Sequence, residues 1–278
     1  MPMQIRQFNR SFGSKARTSG FIALVHLLPL TLFYSGTRPS DWLLFVVFYF
    51  LTIFALGGFL HRYFAHHAFR TSRSFQFMMA LFAGVFFADA VGFAGKHRLH
   101  HKFADTAEDV HSPVQGWWFC WIGSLVDEGY SDEQILMMAK DLTAYPELAW
   151  LHRYFYAPAI VVGLAICWIG GYATFVTAYG LNLLVAIHAP SAVNYFCHDG
   201  KGRNFATPDG SSNSIVLGYL FLGEGWHNNH HRYPASARLG LRRLEPDLIY
   251  HCLRVLAAAG LIWDLREPEV LIAGDQEF

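Results

Sequence analysis

The chain has 278 residues, of which 53% are hydrophobic and 17% aromatic, whereas only 15% are charged. Soluble domains carry about 25% charged residues, and the mean hydropathy here is positive at +0.24, so the composition indicates a membrane protein. The formal net charge is zero, which provides no basic field for a nucleic acid partner. The four scattered cysteines contain no CxxC pair, so neither a disulfide framework nor a thiolate metal site is expected.

The apolar runs predict two transmembrane hairpins. A basic tail, residues 1–19, precedes apolar runs at 20–34 and 42–60, which form the first hairpin (20–60) around a turn. Runs at 154–172 and 173–196 form the second (154–197). Because cations collect on the cytoplasmic side of a membrane, the tail and the regions 61–153 and 198–278 are all expected to be cytoplasmic.

The run 75–95 is also long enough to cross a membrane, but we expect a horizontal or re-entrant helix there. A single crossing would place the histidines before and after this run on opposite faces. Asp89, Gly92 and Gly95 also weaken it as a span, since a carboxylate at mid-bilayer is costly. An amphipathic surface helix is predicted to start near Pro246 and to extend to residue 265. The predicted fold is all-α: a single domain with four transmembrane helices in two hairpins and a cytosolic helical cap.

Nine of the 15 histidines lie in four clusters, all at or beyond predicted cytoplasmic ends of apolar runs. Residues at i, i+3 and i+4 share one helix face, so HRLHH and HNNHH can each direct three imidazoles at one point. His61 and His66 are five apart, which is a poor spacing on a regular helix unless the helix unwinds. The clusters are HRYFAH (His61, His66), HRLHH (His97, His100, His101), NYFCH (Asn194, His198) and HNNHH (His227, His230, His231).

These clusters predict a metal site, because histidine clusters mark metals. Nine imidazoles exceed the coordination number of one ion and suit two. Nitrogen-rich sites accept Fe, Zn, Cu or Ni, so composition does not name the metal. No HExxH motif or similar arrangement indicates hydrolysis. A dinuclear site at the cytoplasmic end of a membrane bundle favours redox chemistry on a lipid chain.

The four clusters, together with FADTAEDVHSP (103–113) and GEGWHNNHHRYPASAR (223–238), resemble the histidine boxes of the membrane fatty acid desaturases, in particular the acyl-CoA branch of the stearoyl-CoA type. The resemblance covers roughly residues 60–265. It implies two iron ions held by all nine clustered histidines, with Asn194 reaching a metal through water. It implies removal of two hydrogens from a saturated acyl chain with O2 as co-substrate, most often at Δ9.

The resemblance also implies partners and a location. The substrate would be a fatty acyl thioester or a phospholipid acyl chain in the bilayer. Electrons would come from a separate ferredoxin- or cytochrome-type carrier with its reductase, and the compact chain favours a bacterial inner membrane. Carboxylates that fix the imidazole tautomers are expected, with four candidates near the boxes: Asp105, Glu108, Asp109 and Glu224.

Several alternatives stay open. The same metal centre could catalyse hydroxylation or the formation of an acetylenic bond, and the histidine boxes do not distinguish these reactions from desaturation. A haem-binding electron carrier would need facing histidines inside the bundle, where only His26 and His188 are available. We interpret both as packed or hydrogen-bonded membrane histidines. A metal transporter would place its ligands near the bilayer midplane, away from the clusters.

Overall fold

The computed structural model describes residues 15–109, 111–126 and 129–268, so the tail up to residue 14 and residues 269–278 lie outside the described part. The described part is helical apart from one two-residue antiparallel pair, β1 (Arg70–Thr71) with β2 (Ile262–Trp263). This confirms the predicted helical class.

Both apolar runs of the first predicted hairpin are helical. Helix α1 (Lys15–Leu27) continues through a 3₁₀ turn (Leu28–Thr31) into α2 (Leu32–Ser35), and α3 (Pro39–Phe54) follows. The fixed φ of Pro39 suits the first turn of α3. The Arg38 guanidinium and Thr174 hydroxyl both bond the buried Asp41 carboxylate. Thr174 belongs to α11 (Tyr172–Thr174), after the turn at Gly171, so the turns of the two hairpins meet.

Three helical segments are long and apolar enough to cross a membrane: 17–35, 39–65 and 172–196. The first half of the second predicted hairpin is bent, since α9 (Pro146–Arg153) and α10 (Ala157–Gly170) meet at 64°. With 14 residues, α10 is about 21 Å long, shorter than the ~30 Å hydrocarbon core. A fourth span exists only if the bent pair crosses as one.

The run 75–95 is not one helix. Helix α4 (Arg73–Gly84) ends there and α5 (Ala90–Phe103) begins, with the Asp89 carboxylate capping α5 by accepting from the Val91 N–H. His152 also bonds Asp89, with 2.8 Å between Nδ1 and Oδ2. Each helix is shorter than a span. The non-spanning interpretation therefore stands, but as two helices rather than one, because Asp89 caps a new helix.

The cap contains short helices. The predicted C-terminal amphipathic helix is α15 (Leu248–Ala258), which begins directly after its capping residue Asp247. Its predicted extension is wrong, since residues 262–263 form β2. The other short helices are α6 (Ser124–Val126), α7 (Asp132–Met138), α8 (Lys140–Thr143), α13 (Ile215–Leu220) and α14 (His227–Arg232), with a 3₁₀ turn at Pro113–Gln115.

The apolar segment 172–196 ends in the longer helix α12 (Leu181–Phe196). Three π-helices interrupt the α-helical structure, at Ala55–Ala65, Phe119–Gly123 and Phe175–Gly180.

Candidate metal centre

A π-helix solves the spacing problem of the first box. Helix α3 widens into the π-helical segment Ala55–Ala65, which carries His61 and is capped by His66. In a π-helix the backbone bonds join i to i+5, so residues five apart lie on the same side. The two rings accordingly meet, with centroids 5.3 Å apart.

The first of two histidine groups, called the five-histidine pocket, draws on three boxes. Its candidate ligand nitrogens all lie within 4.8 Å of one another. The Nε2 atom of His230 lies 2.9 Å from that of His61 and 2.8 Å from that of His101, which is 3.0 Å from that of His97. The members are His61, His66, His97, His101 and His230.

The second group, called the four-histidine pocket, consists of His100, His198, His227 and His231. The Nε2 atom of His227 lies 3.0 Å from those of His198 and His231. Neighbouring residues of one box thus separate, since His100 and His101 point into different pockets. All nine predicted histidines are brought together, in groups of five and four.

The donor set fits metal ions. Nitrogens that bind one ion at about 2.1 Å and at right angles lie about 3.0 Å apart, which matches the observed spacings. The Nε2 atoms of His66 and His100 are buried without a hydrogen-bond partner, as expected for atoms directed at an ion. Burial and neighbouring imidazoles hold the pKa of most of these rings well below its ordinary value, which keeps them neutral as metal ligands must be. The affected rings are His66, His97, His101, His227, His230 and His231.

Carboxylates bond the outer nitrogens of four of these rings. Three of the predicted partners are confirmed: Asp105 bonds His198 and Asp109 bonds His100, each with 2.9 Å between Oδ2 and Nδ1, and Glu224 bonds His61 at 2.5 Å. A carboxylate accepts from Nδ1–H, which leaves the Nε2 lone pair directed into the pocket.

The prediction that Glu108 bonds an imidazole ring is wrong, and the sequence did not predict that Asp209 does so. Glu108 is exposed, and only its backbone carbonyl has a described partner, the Tyr130 hydroxyl. Asp209 accepts from His231, with 2.9 Å between Oδ2 and Nδ1. Asp209 belongs to the polar loop 198–214, which looks like an ordinary surface loop in the sequence. Only packing of this loop against α14 brings the carboxylate to the ring.

A buried ion-pair network supports Glu224. The fully buried Arg62 donates to Glu224 at 3.0 Å and lies 2.9 Å from Asp247. Burial alone would raise the pKa of Glu224, but His61 and Arg62 lower it to about 2. Gly57 is required beside this carboxylate, since a Cβ there would lie 2.7 Å from the Glu224 Oε1 atom.

The two asparagines of HNNHH hold α14 in place. The Asn228 side-chain oxygen accepts from the backbone N–H groups of Asn204 and Phe205, at 2.8 Å each. Asn229 donates to the Leu239 carbonyl and to Glu245. Both are buried. A six-residue helix has little stability alone, so these bonds fix the three histidines that it carries.

A cavity of about 310 Å³ reaches the histidines. Its wall includes His61, His97 and His227, the predicted water-mediated ligand Asn194, and His111, which belongs to none of the four clusters. The rest is mainly apolar, and volumes of this size accommodate small molecules. Asn194 therefore lines the same cavity as histidines of both pockets. The apolar side chains in the wall include Phe21, Ile53, Leu56, Leu60, Phe86, Phe87 and Ile187.

The basic residues near the first two boxes are largely paired within the chain. Arg62 is buried as described, Arg73 bonds Glu147, Arg98 bonds Asp141 and Arg70 lies 3.4 Å from Asp264. These contacts indicate a structural role for this set.

Comparison with known proteins decides the family. The fatty acid desaturase family model matches residues 40–255, most of the chain and all four boxes. The chain belongs to the fatty acid desaturase family. An icosanoyl-CoA 5-desaturase of Limnanthes douglasii is 32% identical over 253 residues, covering 89% of this chain and 71% of the relative.

Further relatives of this desaturase differ in substrate. The Delta-9 acyl-lipid desaturase 2 of Arabidopsis thaliana is 30% identical over 253 residues, covering 88% of this chain and 80% of the relative. An sn-1 stearoyl-lipid 9-desaturase of Anabaena variabilis is 30% identical over 208 residues, covering 74% of this chain and 76% of the relative. The predicted family, the oxidoreductase class and the membrane-protein class are thus confirmed. The relatives include acyl-CoA and acyl-lipid enzymes acting at positions 5 and 9.

Proposed function

We propose that this desaturase uses two iron ions and O2 to introduce a cis double bond at Δ9 of a saturated acyl chain. The observation that carries the proposal is the convergence of nine imidazoles in two groups beside an apolar cavity. The proposed ligands are all nine histidines, with Asn194 holding a water for one ion.

The iron ions would supply O2 activation and the removal of two hydrogens from an unactivated carbon pair. The chain's own residues then have three tasks. The histidines hold the ions, the carboxylates keep the Nε2 lone pairs directed inward, and the cavity wall orients the acyl chain. Apolar side chains also exclude water, which protects the reaction from side products.

Substrate and position follow from the cavity and the relatives. A mainly apolar wall suits an acyl chain. Relatives named as 9-desaturases support Δ9, whereas the icosanoyl-CoA relative is named for position 5. The acyl group would be carried as a thioester or in a phospholipid. Reducing equivalents would come from a separate ferredoxin- or cytochrome-type carrier with its reductase.

The proposed topology has four transmembrane helices, with the bent pair as one span, and a cytoplasmic cap in one domain. The meeting of the two hairpin turns through Asp41 and Thr174 supports a common outer side. A bacterial inner membrane remains a prediction. The relatives described above come from plants and a cyanobacterium.

The test is gas chromatography–mass spectrometry of fatty acids from cells that express this chain, with double bonds located by derivatisation. The wild-type chain should yield a new monounsaturated acid, the His230→Ala variant none, and the matched His26→Ala variant the wild-type product. Full activity and normal iron in His230→Ala would overturn the assignment. A hydroxylated or acetylenic product would support the proposed metal centre but would show that it catalyses a different reaction.

A further inference from the structure

The two pockets differ in the carboxylates behind their ligands. In the four-histidine pocket three of four rings are backed by an aspartate: His100, His198 and His231. In the five-histidine pocket one ring is backed by a carboxylate, through the bond of His61 to Glu224. Among the described residues, three negative charges therefore lie directly behind one set of ligands and one behind the other.

The partners of these carboxylates increase the difference. Besides their histidines, the three aspartates accept mainly from backbone N–H groups. Asp105 accepts from Gly210 and the Ser112 hydroxyl, Asp109 from the Asp105 and His111 amides, and Asp209 from the Ser211 amide. These donors are neutral groups, so their hydrogen bonds do not bring a positive charge to the aspartates.

The carboxylate behind the five-histidine pocket has a cationic partner. The Arg62 guanidinium bonds Glu224 directly and offsets its charge. Arg98, whose own charge is paired with Asp141, donates to the carbonyls of Phe64 and Ala65, immediately before His66. A negative surrounding stabilises an ion of higher charge, and this effect is strong where water is excluded. Basicity of a ligand imidazole also rises when a carboxylate accepts its outer N–H.

We propose that the two metal positions are electronically unequal, with the four-histidine pocket stabilising the more oxidised ion because three aspartates back its ligands. In a half-reduced centre the ferric ion would then reside in the four-histidine pocket. The proposal rests on the proposed function, since it concerns the two iron ions assigned there. It makes Asp105, Asp109 and Asp209 positioning residues that also set the reduction potential.

The experiment is a potentiometric titration of the purified, iron-loaded protein, followed by Mössbauer and electron paramagnetic resonance spectroscopy. The wild-type centre should show two one-electron steps. Asp209→Asn removes a charge while retaining one acceptor oxygen. A tenfold change in the ratio of ferric to ferrous affinity corresponds to about 59 mV, so the step at lower potential should rise by about that amount or more.

Matched variants complete the test. Glu224→Gln should shift mainly the step at higher potential, and Asp105→Asn should repeat the Asp209→Asn effect if that variant loads poorly. Glu108→Gln, an exposed acid in the segment of Asp105 and Asp109, should leave both steps unchanged. Equal shifts of both steps in Asp209→Asn, or one two-electron step in the wild type, would overturn the proposal while desaturation persists. Failure to bind iron would overturn the proposed function as well.

Discussion

The described part of this desaturase brings histidine nitrogens within 3.0 Å in the membrane bundle and in both pockets of the cap, and the membrane pair differs in its chemistry from the four-histidine pocket. In the membrane bundle His26 and His188 meet with 2.9 Å between their Nε2 atoms. Trp121 donates to the Nδ1 atom of His188 at 2.8 Å, and the Nδ1 atom of His26 lies 2.7 Å from the Ile22 carbonyl. His188 must then donate from Nε2 to His26, which donates to Ile22, so one proton arrangement satisfies every nitrogen.

The four-histidine pocket lacks such an arrangement. Aspartates accept the outer N–H of His100, His198 and His231, which directs three Nε2 lone pairs at one point. Only His227 retains a choice of proton position. Lone pairs that converge in a buried space repel unless a cation lies between them. The comparison teaches that the partner of the outer nitrogen, more than the distance between rings, separates a metal site from a structural histidine pair.

Loss of one ligand should have the largest effect. His101→Ala removes a nitrogen from the five-histidine pocket, and activity should fall by more than the roughly 10–100-fold typical of losing a partner behind a ligand. Product yield and iron content measure this. Iron and yield as high as in the wild type would remove His101 from the centre.

Arg62→Met should have the largest effect on stability. It leaves Glu224 and Asp247 buried without their cation, and breaking a buried pair from one side costs about 3–5 kcal/mol. Denaturation of the purified protein in detergent should show this loss of folding free energy. The partly exposed Arg73, which bonds Glu147, provides the control, since Arg73→Met should cost at most about 1 kcal/mol.

Asp109→Asn should weaken metal binding without unfolding the chain. We expect about a 10–100-fold loss in affinity for Co²⁺ at one of two sites, observed by titrating metal-free protein. The control is Glu147→Gln, because Glu147 bonds the exposed Arg73 and neither residue belongs to a pocket. Equal weakening in both variants would show that the effect is not specific to the centre.

Acid should destabilise the metal-free protein below about pH 6.5. Burial and neighbouring rings lower the pKa of six pocket histidines, including His97 and His227, whereas the unfolded chain protonates near a pH of about 6.5. Below that pH the unfolded state binds more protons, so stability falls as pH falls and levels off above it. Melting temperatures between about pH 5 and 8 test the sign. A melting temperature that rises on acidification would contradict it.

The smallest effect is expected in the membrane pair. His26→Ala breaks the bond to His188 and should destabilise the bundle by about 0.6 kcal/mol, the average for such bonds between membrane helices. Activity should remain near the wild-type level. A well-folded but inactive variant would show that this pair contributes to the reaction, and the contrast with the cap would then fail.

Much of the centre could be predicted from the sequence, because its histidines occur in boxes with helical spacing. Three of the four ring-bonding carboxylates also lie within the motifs of 103–113 and 223–238. Asp209 could not be found this way, since it lies outside the box motifs and its role depends on how the loop after His198 folds. The π-helix through His61 was anticipated only as local unwinding. The spacing HxxxxH is compatible with a π-helix, but nothing in the amino-acid sequence requires one.

The sequence by itself determined the membrane class, the family and the identity of the nine converging histidines, because apolar runs and box spacing are local properties of the chain. Tertiary structure decided which histidine joins which pocket. His100 and His101 are neighbours in sequence, but successive side chains on a helix point in directions about 100° apart. Their partners come from α14, from the π-helix that continues α3, and from the loop after α12 that carries His198 and Asp209. The two pockets, and the uneven distribution of charge behind them, therefore exist only once these elements pack together.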